Sequence, residues 1–225
     1  ATLMDSKSAE AIWDQGVESL REGRFDEAAK AGQRLIDAGH WPGYEILASS
    51  QFRLGRQDEA IATLGDAVAR FPGVARLWVL LGNFRSDRGA YDHAHEAYRC
   101  ALRCVEGSTD PDDTGLVWIN IATLLMRESR FEDALEAVDR IEVSENESTK
   151  WRVASVRFDA WNQMGRHGDV LDAGLPLMES VTEDSDRDAV ALTMTKIAEA
   201  LWRGPGDLAE SRFTAMSAVR MSDSM

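Results

Sequence analysis

A short stretch that recurs along the chain constrains its fold more than any other feature. It reads Gly23-Arg24-Phe25-Asp26-Glu27-Ala28, then Gly55-Arg56-Gln57-Asp58-Glu59-Ala60, then Gly89-Ala90-Tyr91-Asp92-His93-Ala94, with 34 residues from the second glycine to the third. Glycine tolerates the left-handed backbone that ends a helix, and an aromatic residue two places on packs back onto the elements it joins. On either side, apolar residues fall at helical spacing. The clearest copy is Leu77 to Leu102: Trp78, Leu81 and Gly82 share one helical face, the chain breaks at Gly89, and Tyr91, Ala94, Tyr98 and Ala101 mark a second helix. Neither helix has enough apolar surface to bury itself, so the pair needs similar neighbours on both sides.

Weaker copies follow. The fourth has Trp118, Ile121 and Ala122, then Ser129-Arg130-Phe131-Glu132-Asp133-Ala134, where serine in place of glycine predicts a less comfortable turn. The fifth has Phe158 and Trp161, then Gly165-Arg166-His167, with Val170 at the small-residue position. Gly174 and Pro176 predict a kink or early end in its second helix. A sixth pair runs from Asp186 to Trp202, turns through Gly204-Pro205-Gly206, and continues with Ala209 and Phe213 to about Met221. The spacing lengthens to 40 residues between Gly89 and Ser129, and to 39 between Gly165 and Gly204. The first extension holds Glu106 to Gly115 and the second Glu183 to Asp186. Such insertions serve either as partner-contact loops or as solvated spacers with helix N-caps at Asp112, Asp113 or Thr114. The small cost of lengthening a loop favours the spacer.

This pattern resembles the tetratricopeptide repeat, a helix-turn-helix unit with W-x2-L-G in its first helix, glycine and an aromatic at the turn, and A-x3-aromatic in its second. Trp78, Leu81-Gly82, Gly89, Tyr91, Ala94 and Tyr98 carry the resemblance, which extends over nearly the whole chain and is fullest in the first four copies. It implies an all-α fold, an α-solenoid of about six antiparallel repeats forming a right-handed superhelix. Residues 1–8 are then a polar tail and 9–221 a single domain, with repeats at 9–40, 41–74, 75–108, 115–146, 147–183 and 185–221 before a tail at 222–225. The job that the resemblance implies is holding a protein or peptide partner.

It also implies where that partner sits. In this family the first helices of successive repeats line a concave groove, and one known mode grips a C-terminal carboxylate with Lys and Asn, then Asn, then Lys and Arg. Asn83 and Asn120 occupy the two asparagine positions and Arg152 the second lysine position, but Val79 replaces the first lysine and Val156 the final arginine. Two charged grips are absent, which argues against that mode. The same register turns Trp13, Val17, Ile46, Phe52, Val79, Leu80, Ile119, Val156 and Met194 toward the groove, among the acids Glu10, Asp14, Glu45, Asp87 and Asp159. An apolar groove edged with acid suits a segment with hydrophobic anchors and basic flanks. The alternative for each apolar position is packing against the neighbouring repeat. For Asn83 and Asn120 it is an exposed polar position on a helix.

Composition narrows the function by exclusion. A net charge of −14 disfavours nucleic acid, whose phosphates need clustered Lys and Arg. No apolar run approaches the roughly 20 residues of a membrane span, so no membrane insertion is expected. The first residues lack the basic start and apolar core of a signal peptide, although a chain that does not begin with Met leaves a removed leader open. Cys100 and Cys104 are four apart on one predicted helix, poorly placed for a relaxed disulfide, and free thiols suit a reducing cytoplasm.

Candidate chemistry is thin. Asp110, Asp112, Thr114 and Gly115 imitate the start of a calcium loop, but its twelfth position is Ile121, where a bidentate acid is needed. His93, Glu96, Cys100 and Cys104 make a helical stripe about 16 Å long, too long for one ion. Phosphate loop, nucleophile elbow, H-E-x-x-H and dinucleotide fingerprint are all absent from the sequence. The expectation is a non-enzymatic scaffold or adaptor with no metal and no cofactor. Two other readings stay open: a secretion or assembly chaperone for one client, and the regulatory part of a larger enzyme. Leu208, Phe213, Met216, Val219 and Met221 leave the last helix without a polar capping face, which suggests a homodimer through that helix or a further helix covering it.

Overall fold

The computed structural model describes residues 6–106, 111–141, 147–181 and 187–204. Among them every regular element is a helix, in pairs joined by short turns: α1 Ser6–Arg21 with α2 Phe25–Asp37, α3 Pro42–Arg53 with α4 Gln57–Arg70, and α5 Ala75–Asp87 with α6 Tyr91–Val105. These are followed by α7 Pro111–Arg127 with α8 Phe131–Asp139, α9 Glu147–Gln163 with α10 His167–Met178, and α11 Arg187–Arg203. The fold is all-α, a series of helical hairpins of the α-solenoid class. The expected last helix, 207–221, and the tail 222–225 lie outside the described residues.

The turns explain why the pairs form. Gly23, Gly55, Gly89 and Gly165 have φ between +73° and +79°. The amide after each donates back to a carbonyl five residues earlier: Arg24 to Ser19, Arg56 to Gln51, Ala90 to Arg85 and Arg166 to Trp161, all at 2.8–2.9 Å. This left-handed ending satisfies carbonyls that the helix terminus would otherwise leave bare. The next helix starts with no side-chain cap. Instead the arginine at that position reaches an acid three residues on, Arg24 to Glu27 at 2.8 Å and Arg130 to Asp133 and Arg166 to Asp169 at 2.6 Å. Those acids also sit in the first turn, where the helix dipole favours negative charge.

Four small residues, Ala28, Ala60, Ala94 and Ala134, are fully buried just after these turns and let the paired helices approach closely. Leu35 packs with Ala28, and Leu64, Leu77 and Leu81 with Ala60, each essentially inaccessible to solvent, a burial worth about 1.5–3 kcal/mol per side chain. The closest approach is at Gly82, where an added Cβ would overlap the ring of Tyr98 on α6. Tyr98 is itself fixed, its hydroxyl donating to Asn83 Oδ1 at 2.6 Å.

Several sequence expectations are corrected. α1 begins at Ser6, inside the expected tail, because nothing in Ser6-Lys7-Ser8 interrupts a helix. α7 begins at Pro111, a favourable first position, so Asp112, Asp113 and Thr114 belong to its first turn and are not caps. Where a kink or early end is expected at Gly174 and Pro176, α10 continues past both residues to Met178, with Pro176 in its last turn. Gly174 instead makes room for α11, since a Cβ there would lie 2.8 Å from Ile197 Cγ1.

The residues divide into two compact units, 1–106 and 107–225, parting at the first of the two long spacings, where the repeat pattern predicts one domain over 9–221. In the first unit α2 packs on α3, α4 on α5, and α3 lies against both α1 and α5. In the second, α9 receives α7, α8, α10 and α11. Trp151 and Phe158 of α9 and Ile197 of α11 form its buried centre.

Two substitutions probe the packing and the turns. Gly82→Ala forces Tyr98 from its site and is expected to cost about 1–3 kcal/mol, read as a lower urea midpoint with an unchanged slope. Ser129 holds φ +59°, the left-handed region, without being glycine. Ser129→Gly is expected to gain about 1 kcal/mol, seen as a higher thermal midpoint; no gain would show that serine is unstrained there.

Candidate partner-binding surface

The first helices of the first unit, α1, α3 and α5, enclose a cleft of 420 Å3 near their N-terminal ends. Its apolar walls are Ala9 and Trp13 from α1, Leu35 from α2, and Trp41 and Pro42 at the start of α3. Polar groups meet there too: Glu10, Glu45, Arg76 and His40. The volume lies within the roughly 300–1,000 Å3 of ligand pockets, which are mostly apolar with a few placed polar groups.

Each lining residue is placed by the repeat. His40 follows Gly39, whose φ of +87° ends α2, and its amide donates to Leu35 O at 2.9 Å. The same turn brings Trp41 to the mouth. Gly32 and Gly43 let α2 and α3 touch: a Cβ on Gly32 would lie 2.8 Å from the backbone of Leu47. Arg76, in the first turn of α5, donates to Glu45 from Nε at 2.8 Å and from Nη2 at 2.6 Å. That two-point contact crosses from one repeat to the next. It raises the guanidinium above its usual value, the hydrogen bonds to Glu45 outweighing burial. Glu45 is only 12% exposed, whereas Arg76 is about half exposed, so the carboxylate depends on this partner more than the cation does.

The residues expected in the groove separate by burial. Trp13 lines the cleft, half-buried, with its inner side on the cluster of Ile12, Ala28 and Leu35. Ile46, Val79 and Ile119 are buried, so for them the packing alternative holds. Ile46 covers Gly16, where an added Cβ would meet Ile46 Cδ1 at 2.7 Å. Phe52 stacks on Phe84 with ring centres 4.3 Å apart, and Leu80 packs beside the same cluster. In the second unit Val156 packs against the cluster of Ala122, Leu125 and Val138.

The polar positions are also engaged. Asn83 accepts from Tyr98, and Asn120 Nδ2 donates to Leu116 O at 2.7 Å within its own helix. Arg152 is exposed on α9. Asn83 belongs to the first unit, and Asn120 and Arg152 to the second. His40, Trp41, Pro42 and Arg76 were missed as site residues. The sequence signal that marks them is a tryptophan next to a proline directly after the Gly39 turn.

Cys100 and Cys104 are free and half-buried on α6. Cys104 donates to Pro72 O at 3.2 Å, and burial pushes its thiol up, away from the reactive thiolate. The calcium-like run falls partly within α7, a helix and not a loop. Among the described residues no group of three or more His, Cys, Asp and Glu is placed to hold a metal ion, and no helix is long and apolar enough to cross a membrane.

With this geometry in view, comparisons with other proteins define the class. Residues 47–111 match the family model of the tetratricopeptide repeat. The fold matches a chain of the APC/C hetero-tetramer Cut9–Hcn1 with a TM-score of 0.59 at 18% identity, over 92% of this chain and 42% of that one. It matches a thermophilic tetratricopeptide-repeat protein of Thermus thermophilus with a TM-score of 0.58, also at 18% identity, over 94% of this chain and 98% of that one. At such identity the likeness concerns the fold alone. A search of curated protein sequences finds no match. Residues 47–111 thus carry tetratricopeptide repeats, and the fold is that of such repeats. Proteins of this fold are generally protein-interaction scaffolds without catalysis.

The bridge between repeats is open to a direct test. In a double-mutant cycle of Arg76→Ala and Glu45→Gln, the pair is expected to couple by about 1 kcal/mol, near the upper end for a solvent-screened pair. Arg76→Ala alone is expected to lower the urea midpoint more than the double variant does, because it strands the shielded Glu45 carboxylate. Single-variant effects that simply add up to that of the double variant would show that the bridge adds nothing.

Proposed function

We propose that this protein is a non-enzymatic adaptor that holds a segment of a partner protein on the face built by α1, α3 and α5, with the Trp13–Trp41 cleft as the principal contact. The cleft carries the reading. There Trp13 of α1 and Trp41, just before α3, leave aromatic surface partly open, and α5 adds Arg76. Half-buried tryptophans beside charged groups are the usual composition of residues that dominate protein interfaces. Phe52, Leu80 and Asn83 extend the same helices as secondary contacts, and Asn120, Arg152 and Val156 offer similar positions in the second unit. Ile46, Val79 and Ile119 hold the framework behind them.

The reading is tested by affinity capture on the full chain, comparing wild type with Trp13→Ala, with Ala9→Arg, which puts a long charged side chain into the cleft, and with Glu136→Ala on α8, outside the cleft lining, as a control. Circular dichroism confirms that each variant is folded. A partner retained by wild type and by Glu136→Ala, and reduced at least about tenfold with both cleft variants, is the expected outcome. Undiminished capture by Ala9→Arg would place the contact elsewhere.

A further inference from the structure

The charges around the cleft name the chemistry of its occupant, an inference that rests on the groove reading above. Glu45 and Arg76 neutralise one another: the guanidinium reaches the Glu45 carboxylate from two nitrogens, at 2.6 and 2.8 Å. Among the described residues Arg76 is the only arginine or lysine lining the cleft. Glu10 is different. It is exposed at the mouth, and Asp14, one helical turn further along α1, is exposed as well. Neither forms an ion pair among the described residues, and Lys7, one turn before Glu10, forms none with it. Two carboxylates four residues apart on one helix repel each other, a cost that a cation set between them removes.

Behind these acids stand the apolar walls, Trp13, Trp41, Pro42 and Leu35. The faces of the two tryptophans attract a cation as well as an apolar group. The whole chain, at net −14, draws basic partners and repels acidic ones at long range.

We infer that the cleft takes a partner segment that inserts one large apolar side chain against Trp13 and Trp41 and sets a lysine or arginine beside it against Glu10 and Asp14. Of the arginines and lysines that line the cleft an acidic segment meets only Arg76, and that guanidinium is closed on Glu45. A segment without charge leaves the repulsion between Glu10 and Asp14 in place.

Three labelled synthetic peptides of equal length test this by fluorescence anisotropy on the full chain. Each carries one phenylalanine, flanked by lysines, by serines or by glutamates. The lysine peptide is expected to bind at least about tenfold tighter than the glutamate peptide, with serine between them. The gap should narrow in high salt, because exposed charges are screened. The double variant Glu10→Lys, Asp14→Lys should invert the order, and Trp13→Ala should weaken all three peptides. Equal affinities that still fall with Trp13→Ala would overturn the basic-segment inference and leave the groove reading intact, as would a preference for glutamate. Binding that ignores Trp13→Ala, or no binding of any peptide, would overturn both.

Discussion

The structure depends on one backbone event repeated at each hairpin, a single residue in the left-handed region that ends the first helix. It fixes where the next helix starts, and so which faces of the pair meet. Once Gly89 takes φ +74° and Ala90 returns its hydrogen bond to Arg85, Ala94 lies buried between α5 and α6. Tyr98 then reaches across to Gly82 and Asn83. Packing follows from the turn, because a different exit angle would carry Tyr98 away from the only position on α5 that lacks a Cβ in its path. The fourth copy keeps the geometry at Ser129 by accepting strain, which shows that the turn conformation is required and that glycine is only its least costly occupant.

This is also why so much of the fold was legible in the sequence. A residue needing positive φ, a buried alanine five places on, and an aromatic reaching back are local signals. They survive even where the rest of a repeat drifts. The fifth copy shows where local reading stops. Pro176 lies in the last turn of α10, where it cannot donate to the carbonyl of Asp172, yet the helix runs on to Met178, and Gly174 looks like a breaker until α11 is placed against it. The need for a small residue at Gly174 comes from Ile197, a residue 23 positions away in the chain, and no window of sequence contains that information.

The candidate site was less legible, for a related reason. A register carried from one repeat to the next treats equivalent positions on successive first helices as equally open. Trp13 lies on α1, the first helix among the described residues, and is half-buried there. Ile46 on α3 has α1 on one side and α5 on the other, and it fills the space that Gly16 leaves. Val79 on α5 is buried too. Position in the stack decides exposure at these sites more than position in the repeat does.

The cleft lies near the N-terminal ends of α1, α3 and α5. The contribution of α5 to it is a charge held in place by α3: Arg76 is anchored through Glu45. One contact therefore joins repeats two and three and shapes the wall of the cleft. The coupling has a consequence for recognition. Because the Glu45 carboxylate is engaged by its own repeat partner, it does not compete for an incoming cation, and discrimination between partners falls to the exposed acids of α1. A rigid neutral pair beside an uncompensated acidic edge gives a surface that selects by charge at its rim and by apolar fit at its centre, the division of labour that protein interfaces generally follow.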